Sequence, residues 1–469
     1  MSKILSGTIA IIALLSSGCV TGPLPKVSMP ASVGAGTTSI VPVDPPPVAL
    51  QLDPAAEAAV RHALVNSPDL ERTAARLREL RAFGKAADAS RWPALSAHGG
   101  PSAINDSTFD LDDGRNEDRL RRVDKSIEFR WEIDLFGKLA ADRRAAHAER
   151  WAAAADLAAA RVILAHSVRS EIVRYRAAVV EAQLVESSLT TLRDIAALEA
   201  QLSAAGLRSG VDLSQLRSTI AAQEADLVAL RLESELTPLR LRTLGDIPLA
   251  EIHELSVPKD EAPECRMKSP QVLSAEIPLF WLQQRLDVAA AESRLLAGVA
   301  ETESARAAIY PSFALVAGRS FKRDRTRNLG QLLARSTQQF IGVSIAATLF
   351  DAGQRASEAR AAQARAEAAA ADFRHTVLLA AEEIEGALAR TTVSDAASLA
   401  SLNARREAEA AALWGQQRQQ AGIDSRLTAL QLQRDALERA LQHTALERDR
   451  CLAALDLSRA LGLIEPRSP

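Results

Sequence analysis

Five apolar residues, Ile127, Phe129, Trp131, Ile133 and Leu135, alternate with Ser126, Glu128, Arg130, Glu132 and Asp134. A period of two predicts a β-strand with one apolar and one charged face, the pattern of a strand set between lipid and water. A second run alternates Ile341, Val343, Ile345, Ala347 and Leu349 with Gly342, Ser344, Ala346 and Thr348. Phe313, Leu315 and Ala317 predict a third strand, broken by Arg319, and a weaker one lies near Ala94 to Ile104, with Gly99-Gly100-Pro101 inside it. The predicted strands are thus about 94–104, 126–136, 312–321 and 340–350. The charged stretches between the members of each pair, Asn105 to Lys125 and Lys322 to Gln339, are expected to be long exterior loops.

After Gly137 and Gly353 the pattern changes to helical spacing. Val168, Ile172, Tyr175, Val179, Ala182, Val185, Leu189, Leu192, Ile195, Leu198 and Leu202 advance in steps of three and four. That is the seam of a coiled helix. The stretches run without proline to about Ala205 and Ala421, on the order of 100 Å each at 1.5 Å per residue. Returning helices follow, so hairpins are predicted at about 138–244 and 354–461.

The two patterns belong to a duplicated chain. Asp69-Leu70 is echoed by Asp287-Val288 and Trp92-Pro93 by Tyr310-Pro311, both 218 positions apart. Gly137 and Gly353 are 216 apart, and Gly210-Val211-Asp212 matches Gly422-Ile423-Asp424 at 212. The organisation expected is a signal peptide at 1–18, a tether at 19–52, a first repeat at 53–245, a connecting segment at 246–276, a second repeat at 277–461 and a tail at 462–469. A membrane sheet with open edges leaves backbone amides unpaired in hydrocarbon, and the smallest membrane barrels have about eight strands. Four strands therefore imply a barrel shared between copies.

Composition narrows the chemistry. Of 469 residues 47% are apolar, 25% charged and only 4% aromatic, with a net charge of −3. Nothing here calls for a nucleic-acid partner. Lys3, the apolar run Ile4 to Leu15 and Leu15-Ser16-Ser17-Gly18-Cys19 form an export signal ending in a lipobox-like site. Cys19 is the expected lipid attachment point, with two or more acyl chains holding the N-terminus in a membrane. Cys265 and Cys451 remain; a disulfide fits an oxidising periplasm, while two isolated thiols is the favoured reading. The seven histidines show no metal-ligand spacing, and no Cys-x-x-Cys, His-Glu-x-x-His or Gly-x-Ser-x-Gly motif occurs. No enzyme, metal or cofactor is expected.

In order and kind, these motifs resemble the TolC-like outer-membrane factors, in particular the NodT-type efflux lipoproteins. Arg285-Leu286-Asp287-Val288-Ala289-Ala290-Ala291-Glu292 is similar to the family's Arg-Pro-Asp-Val-Arg-Ala-Ala-Glu signature, with Leu286 in place of proline. Ala308-Ile309-Tyr310-Pro311-Ser312-Phe313 is similar to its helix-to-strand junction. Gly206-Leu207-Arg208-Ser209-Gly210-Val211-Asp212-Leu213 and Ala421-Gly422-Ile423-Asp424 are similar to its two helix-turn tips. The resemblance implies a mainly α fold with a transmembrane β part: a homotrimer with a twelve-stranded barrel in the outer membrane and a twelve-helix periplasmic tunnel. It also implies a passive exit duct for drugs, metals or other toxic solutes. The partners implied are a periplasmic adaptor and an inner-membrane transporter of the resistance-nodulation-division type. Adaptor contact is expected from Arg208, Ser209, Gly210, Val211, Leu213, Gly422, Ile423 and Ser425, and a gate role from Asp424. Asp212 and Asp424 are also expected to cap the returning helices. A type I protein-secretion duct and a periplasmic coiled-coil scaffold without a pore are the competing readings.

Overall fold

The computed structural model describes residues 52–110, 114–255, 279–326 and 333–462. Cys19, Cys265, the tether and most of the connecting segment lie outside these. The described elements are α1 (Pro54–Asn66), α2 (Pro68–Ala89), β1 (Ala94–Asp110), β2 (Gly114–Ile133), α3 (Lys138–Ala204), α4 (Gly210–Gly245), α5 (Leu249–Glu254), α6 (Leu279–Gln284), α7 (Leu286–Ala307), β3 (Ser312–Thr326), β4 (Leu333–Ala346), α8 (Gln354–Gln420) and α9 (Arg426–Ala460). Each repeat runs helix, strand, strand, long helix, returning helix, as the pattern predicts. The long helices α3 and α8 are both 67 residues.

The chain divides into two compact units. The first holds the four strands and the helical segments next to them, residues 77–153 and 291–373. Its strands form one antiparallel sheet in the order β1-β2-β3-β4. Glycine starts both long-helix entries: Gly137 and Gly353 take φ values of +78° and +86°, a backbone state that costs glycine little. At the sheet's helical end, the Phe136 ring stacks on Tyr310 with centroids 4.7 Å apart, and the Trp131 indole donates to the Arg91 carbonyl at 2.9 Å. The helical segments pack through small residues, with Ala141, Ala152, Ala300, Ala359, Ala362 and Ala366 buried. Gly298 brings α7 against α8, since a Cβ there would lie 3.3 Å from the Ala366 Cα.

The strands run farther toward their connections than predicted, whereas β2 and β4 stop at Ile133 and Ala346, so Leu135, Ala347 and Leu349 lie past the strands. The stretches expected as exterior loops are for the most part strand: β1 pairs with β2 from Ala94↔Arg130 as far as Asp110↔Gly114. β3 pairs with β4 from Ser312↔Ala346 to Arg325↔Leu333. Backbone pairing continues past the point where apolar alternation stops, so hydrophobic period marks the lipid-facing part of a strand and not its end.

The second unit holds the two helical hairpins with α1, α5 and α6, within residues 52–76, 154–290 and 374–462. Its largest core joins Val60 and Ala63 of α1, Val168 and Ile172 of α3, Leu241 of α4, and Ile247, Ile252 and Leu255 beyond it, all at most 1% exposed. Ion pairs tie the same helices: Arg169 grips Glu57 through two hydrogen bonds of 3.1 and 2.8 Å, and His166 meets Asp456 at 2.9 Å. Cys451 is fully buried and disulfide-bonded, its partner lying outside the described residues. The expectation of an isolated thiol at this position does not hold.

Gly245 closes α4 against α1, where an added Cβ would stand 2.3 Å from the Ala63 Cβ. Gly245→Ala should therefore force α1 outward and cost about 1–3 kcal/mol, read as a lowered midpoint for loss of helical circular dichroism in denaturant.

Candidate functional site: a two-faced sheet and two helix tips

Register aligns the apolar residues of all four strands. Leu95 pairs with Phe129, Phe129 with Ala317 and Ala317 with Ile341, while Ile133 pairs with Phe313 and Phe313 with Ile345. Residues in register share a face, so this row is one apolar surface crossing the sheet. It is open: Leu95 is 73% exposed, Ile127 54%, Ile341 80% and Ile345 63%. The opposite face carries Ser96, Glu128, Arg130, Glu132 and Ser344. A water-soluble sheet would cover such an apolar face; here nothing among the described residues does. Nor are the outer edges of β1 and β4 paired with any other described strand.

The tips lie in the second unit. At the first, Gly206 takes φ +70°, and at the second, Gly422 takes φ +72°. These two glycines are 216 positions apart, the spacing of Gly137 and Gly353, so Gly422 is the counterpart of Gly206 and not of Gly210. Gly210 instead opens α4 and needs no left-handed backbone. The helix caps also differ from expectation. Ser209 Oγ accepts from the Val211 amide at 3.2 Å and Ser425 Oγ from the Thr428 amide at 3.1 Å. Serine accepts the orphan amides of the first turn, which leaves Asp212 inside α4 and Asp424 ahead of α9. Neither aspartate is a cap.

The residues expected at the tips are brought together as two turns. Val211 and Ile423 are 61% and 65% exposed, and Leu213 is half-buried. Leu207, 72% exposed, is the counterpart of Ile423 and stands at the first tip as Ile423 does at the second. Its signal was the 216-residue spacing. Arg208 lies 3.8 Å from both Glu199 and Asp212. Asp424 is held by Arg418, whose Nε and Nη2 donate to its two oxygens at 2.6 and 3.1 Å. Those hydrogen bonds and the guanidinium charge hold the Asp424 carboxyl below its ordinary value and push Arg418 up.

The signature arginine is structural. Arg285 is buried and donates to Asp287 at 3.0 and 2.7 Å, to Glu383 of α8 at 2.8 Å and to the Ala460 carbonyl of α9 at 2.9 Å. It thus ties the start of α7 to both helices of the second hairpin. Leu286 in place of proline does not disturb this start, because α7 begins at Leu286 itself. Among the described residues no group of three His, Cys, Asp or Glu side chains is arranged to hold a metal ion.

Comparison with known proteins agrees with this geometry. A family model described as "Outer membrane efflux protein" matches residues 59–244 and 281–463. The pyoverdine export outer membrane protein OpmQ of Pseudomonas aeruginosa is 25% identical over 413 residues, covering 87% of this chain and 85% of OpmQ. The cation efflux system protein CusC of Escherichia coli is 25% identical over 342 residues, covering 72% and 71%. A crystal structure of a membrane protein from Pseudomonas aeruginosa superposes with a TM-score of 0.74 at 24% identity, over 93% of this chain and 96% of that one.

Because Asp424 titrates below the ordinary aspartate value of 3.8, its pair with Arg418 is intact above that value and is lost as pH falls through the lowered one. At neutral pH, Arg418→Gln should speed amide exchange at residues 421–424 while leaving residues 205–208 unchanged, measured by mass spectrometry. In the unmodified protein the same acceleration should appear only in strong acid.

Proposed function

As a member of the outer membrane efflux protein family, this chain is the outer-membrane duct of an efflux system, and we propose that it works as a homotrimer. The observation that carries the trimer is the open sheet: four strands, an uncovered apolar face and two unpaired edges. In hydrocarbon each edge amide left without a partner costs several kcal/mol. Pairing β1 of one copy with β4 of the next removes both edges, and three copies give a twelve-stranded barrel. A row on α4 supports the same packing below it. Val228, Leu232 and Leu239, spaced along one helical face, are 67%, 53% and 52% exposed, and neighbouring copies would cover them in a twelve-helix periplasmic tunnel.

The two tips then face a periplasmic adaptor, with Leu207, Arg208, Val211 and Ile423 as contact residues, and the adaptor couples the duct to an inner-membrane transporter of the resistance-nodulation-division type. The energy for transport comes from that transporter. The chain itself catalyses no reaction and conducts by diffusion through a water-filled lumen. Its cargo is small solutes of the kinds named in its relatives, pyoverdine in one and cations in another. Asp424 narrows the closed mouth: threefold symmetry brings three Arg418–Asp424 pairs near the axis. Cys19 carries the lipid anchor.

Purified protein should run as a heat-resistant trimer and form pores in planar bilayers, whereas a monomer without conductance would exclude the duct. In the same bilayers Asp424→Ala should raise single-channel conductance severalfold, and an unchanged value would remove Asp424 from the gate. Cys19→Ala should abolish incorporation of labelled palmitate. Persistent labelling would place the anchor elsewhere.

A further inference from the structure

The apolar face of the sheet ends in cations. Lys125, Arg319, Arg323 and Arg335 continue the same alternation as Ile127, Ala317 and Ile341, toward the β1–β2 and β3–β4 connections and away from the helices. Arg319 stands across from Ile127, and Lys125 across from Phe321. Arg323 stands across from Val123 on one side and directly across from Arg335 on the other. All four side chains are exposed. The Arg319 guanidinium lies over the Phe321 ring at 4.8 Å from its centroid, keeping an aromatic at the same level.

Between Val123 and Ile127 of β2, Ala317 and Arg323 of β3, and Arg335 and Ile341 of β4, no carboxylate falls at the positions of this surface. Asp124 and Asp324, the acidic residues of the same stretch, fall at positions of opposite parity. None of the four cations makes an ion pair among the described residues. Like charges directly opposite one another across a strand pair destabilise it, and Arg323 and Arg335 are such a pair with no ion-pair partner among the described residues. Their spacing, about 5 Å across strands, suits a phosphate bridging two guanidiniums, since arginine presents its donors in a fork matched to phosphate oxygens.

We propose that Lys125, Arg319, Arg323 and Arg335 form an outward-facing belt that binds the phosphates of membrane glycolipid in the outer leaflet. This rests on the outer-membrane reading above. The helices are periplasmic, so the connection end of the sheet faces the cell exterior and the belt lies at the outer headgroup level. A lipid phosphate fits better than a soluble one, because the cations sit flush with the lipid-facing surface and not in a pocket. A lipid docked there has its acyl chains against Ile127, Ile341 and Val343 while its phosphate neutralises the belt. Basic clusters at a membrane surface attract anionic headgroups in this way.

The test uses the full-length protein purified in detergent and two probes, bis-phosphorylated lipid A and lipid A stripped of both phosphates. Native mass spectrometry counts the lipid retained. The Arg323→Gln/Arg335→Gln variant should retain phosphorylated lipid A about tenfold more weakly, a difference of about 1.4 kcal/mol. Lys322→Gln, on the opposite face, should leave retention unchanged, and Arg319→Gln alone should weaken it to a smaller extent. The stripped lipid should not distinguish the variants. Equal retention of phosphorylated lipid A by the unmodified protein and the double variant would overturn the proposal, as would equal retention of both probes by the unmodified protein. Outer-membrane fractionation and conductance of the same samples separate the two readings: their loss in the unmodified protein sinks the duct, whereas intact conductance with indifferent lipid binding sinks only the belt.

Discussion

Unpaired backbone at the edge of a membrane sheet is the constraint from which the rest follows. In water an edge amide finds a solvent partner; in hydrocarbon it finds none. The outer edges of β1 and β4 therefore force a choice between a larger sheet within the chain and a sheet shared between chains. The chain contains four strands among its described residues, so sharing is the remaining solution. The apolar face makes the same demand in a second way: lipid must cover what no helix among the described residues covers. In the proposed trimer, copies arranged around an axis would also set what the helices do, because segments that leave a shared barrel side by side must pack side by side. The exposed rows on α4 and the alanine-rich contacts of α3, α7 and α8 suit that arrangement.

Small residues do in the helices what register does in the sheet. Gly245 against Ala63 and Gly298 against Ala366 are places where two backbones approach so closely that a methyl group is the limiting object. Interiors of this kind have little slack, since packing is close to that of a crystal. Long helices held by many such contacts resist shearing, and polar clamps such as Arg285 among Asp287, Glu383 and Ala460 fix their relative height. Burial works against the charge on both Arg285 and Asp287, yet each is held in its charged form by the other.

Much of this was legible in the residues, and the parts that were not have identifiable causes. Alternation in Ile127 to Leu135 gave the strand and its facing, because one side meets lipid and the other water. Beyond Ile127 both faces of β2 meet water or headgroups, the period fades, and charged residues read as loop although backbone pairing continues to Gly114. The duplication was legible from spacing, but the second tip was matched by letters, Gly-x-Asp against Gly-x-Asp. Backbone conformation sets the equivalence instead: Gly206 and Gly422 have positive φ, Ser209 and Ser425 cap. The 212-residue offset of the letter match, against 216 and 218 elsewhere, was the available warning. No sequence signal marked Arg418 as the partner of Asp424, since a contact six residues back across a turn depends on the turn's geometry.

With the tips correctly aligned, the duplication becomes an asymmetry with a physical cause. Arg208 and Asp424 occupy equivalent positions and carry opposite charge. In the first hairpin, Arg208 lies near Glu199. The position equivalent to Glu199 in the second hairpin is Gly415, which offers no carboxylate and against which the Leu432 side chain packs, 2.5 Å from where a Cβ would stand. The second hairpin has thus exchanged an acidic partner for close apolar packing. A cation at position 424 would lose that anchor, whereas an anion gains Arg418 from the preceding turn of α8. The charge at each tip follows from what the neighbouring helix can place beside it. The two tips therefore differ in kind, one carrying a guanidinium beside carboxylates and the other a carboxylate held by a guanidinium. Both charges are paired, Arg208 with Glu199 and Asp212 at 3.8 Å and Asp424 with Arg418 at 2.6 Å, so the second pair is the tighter of the two.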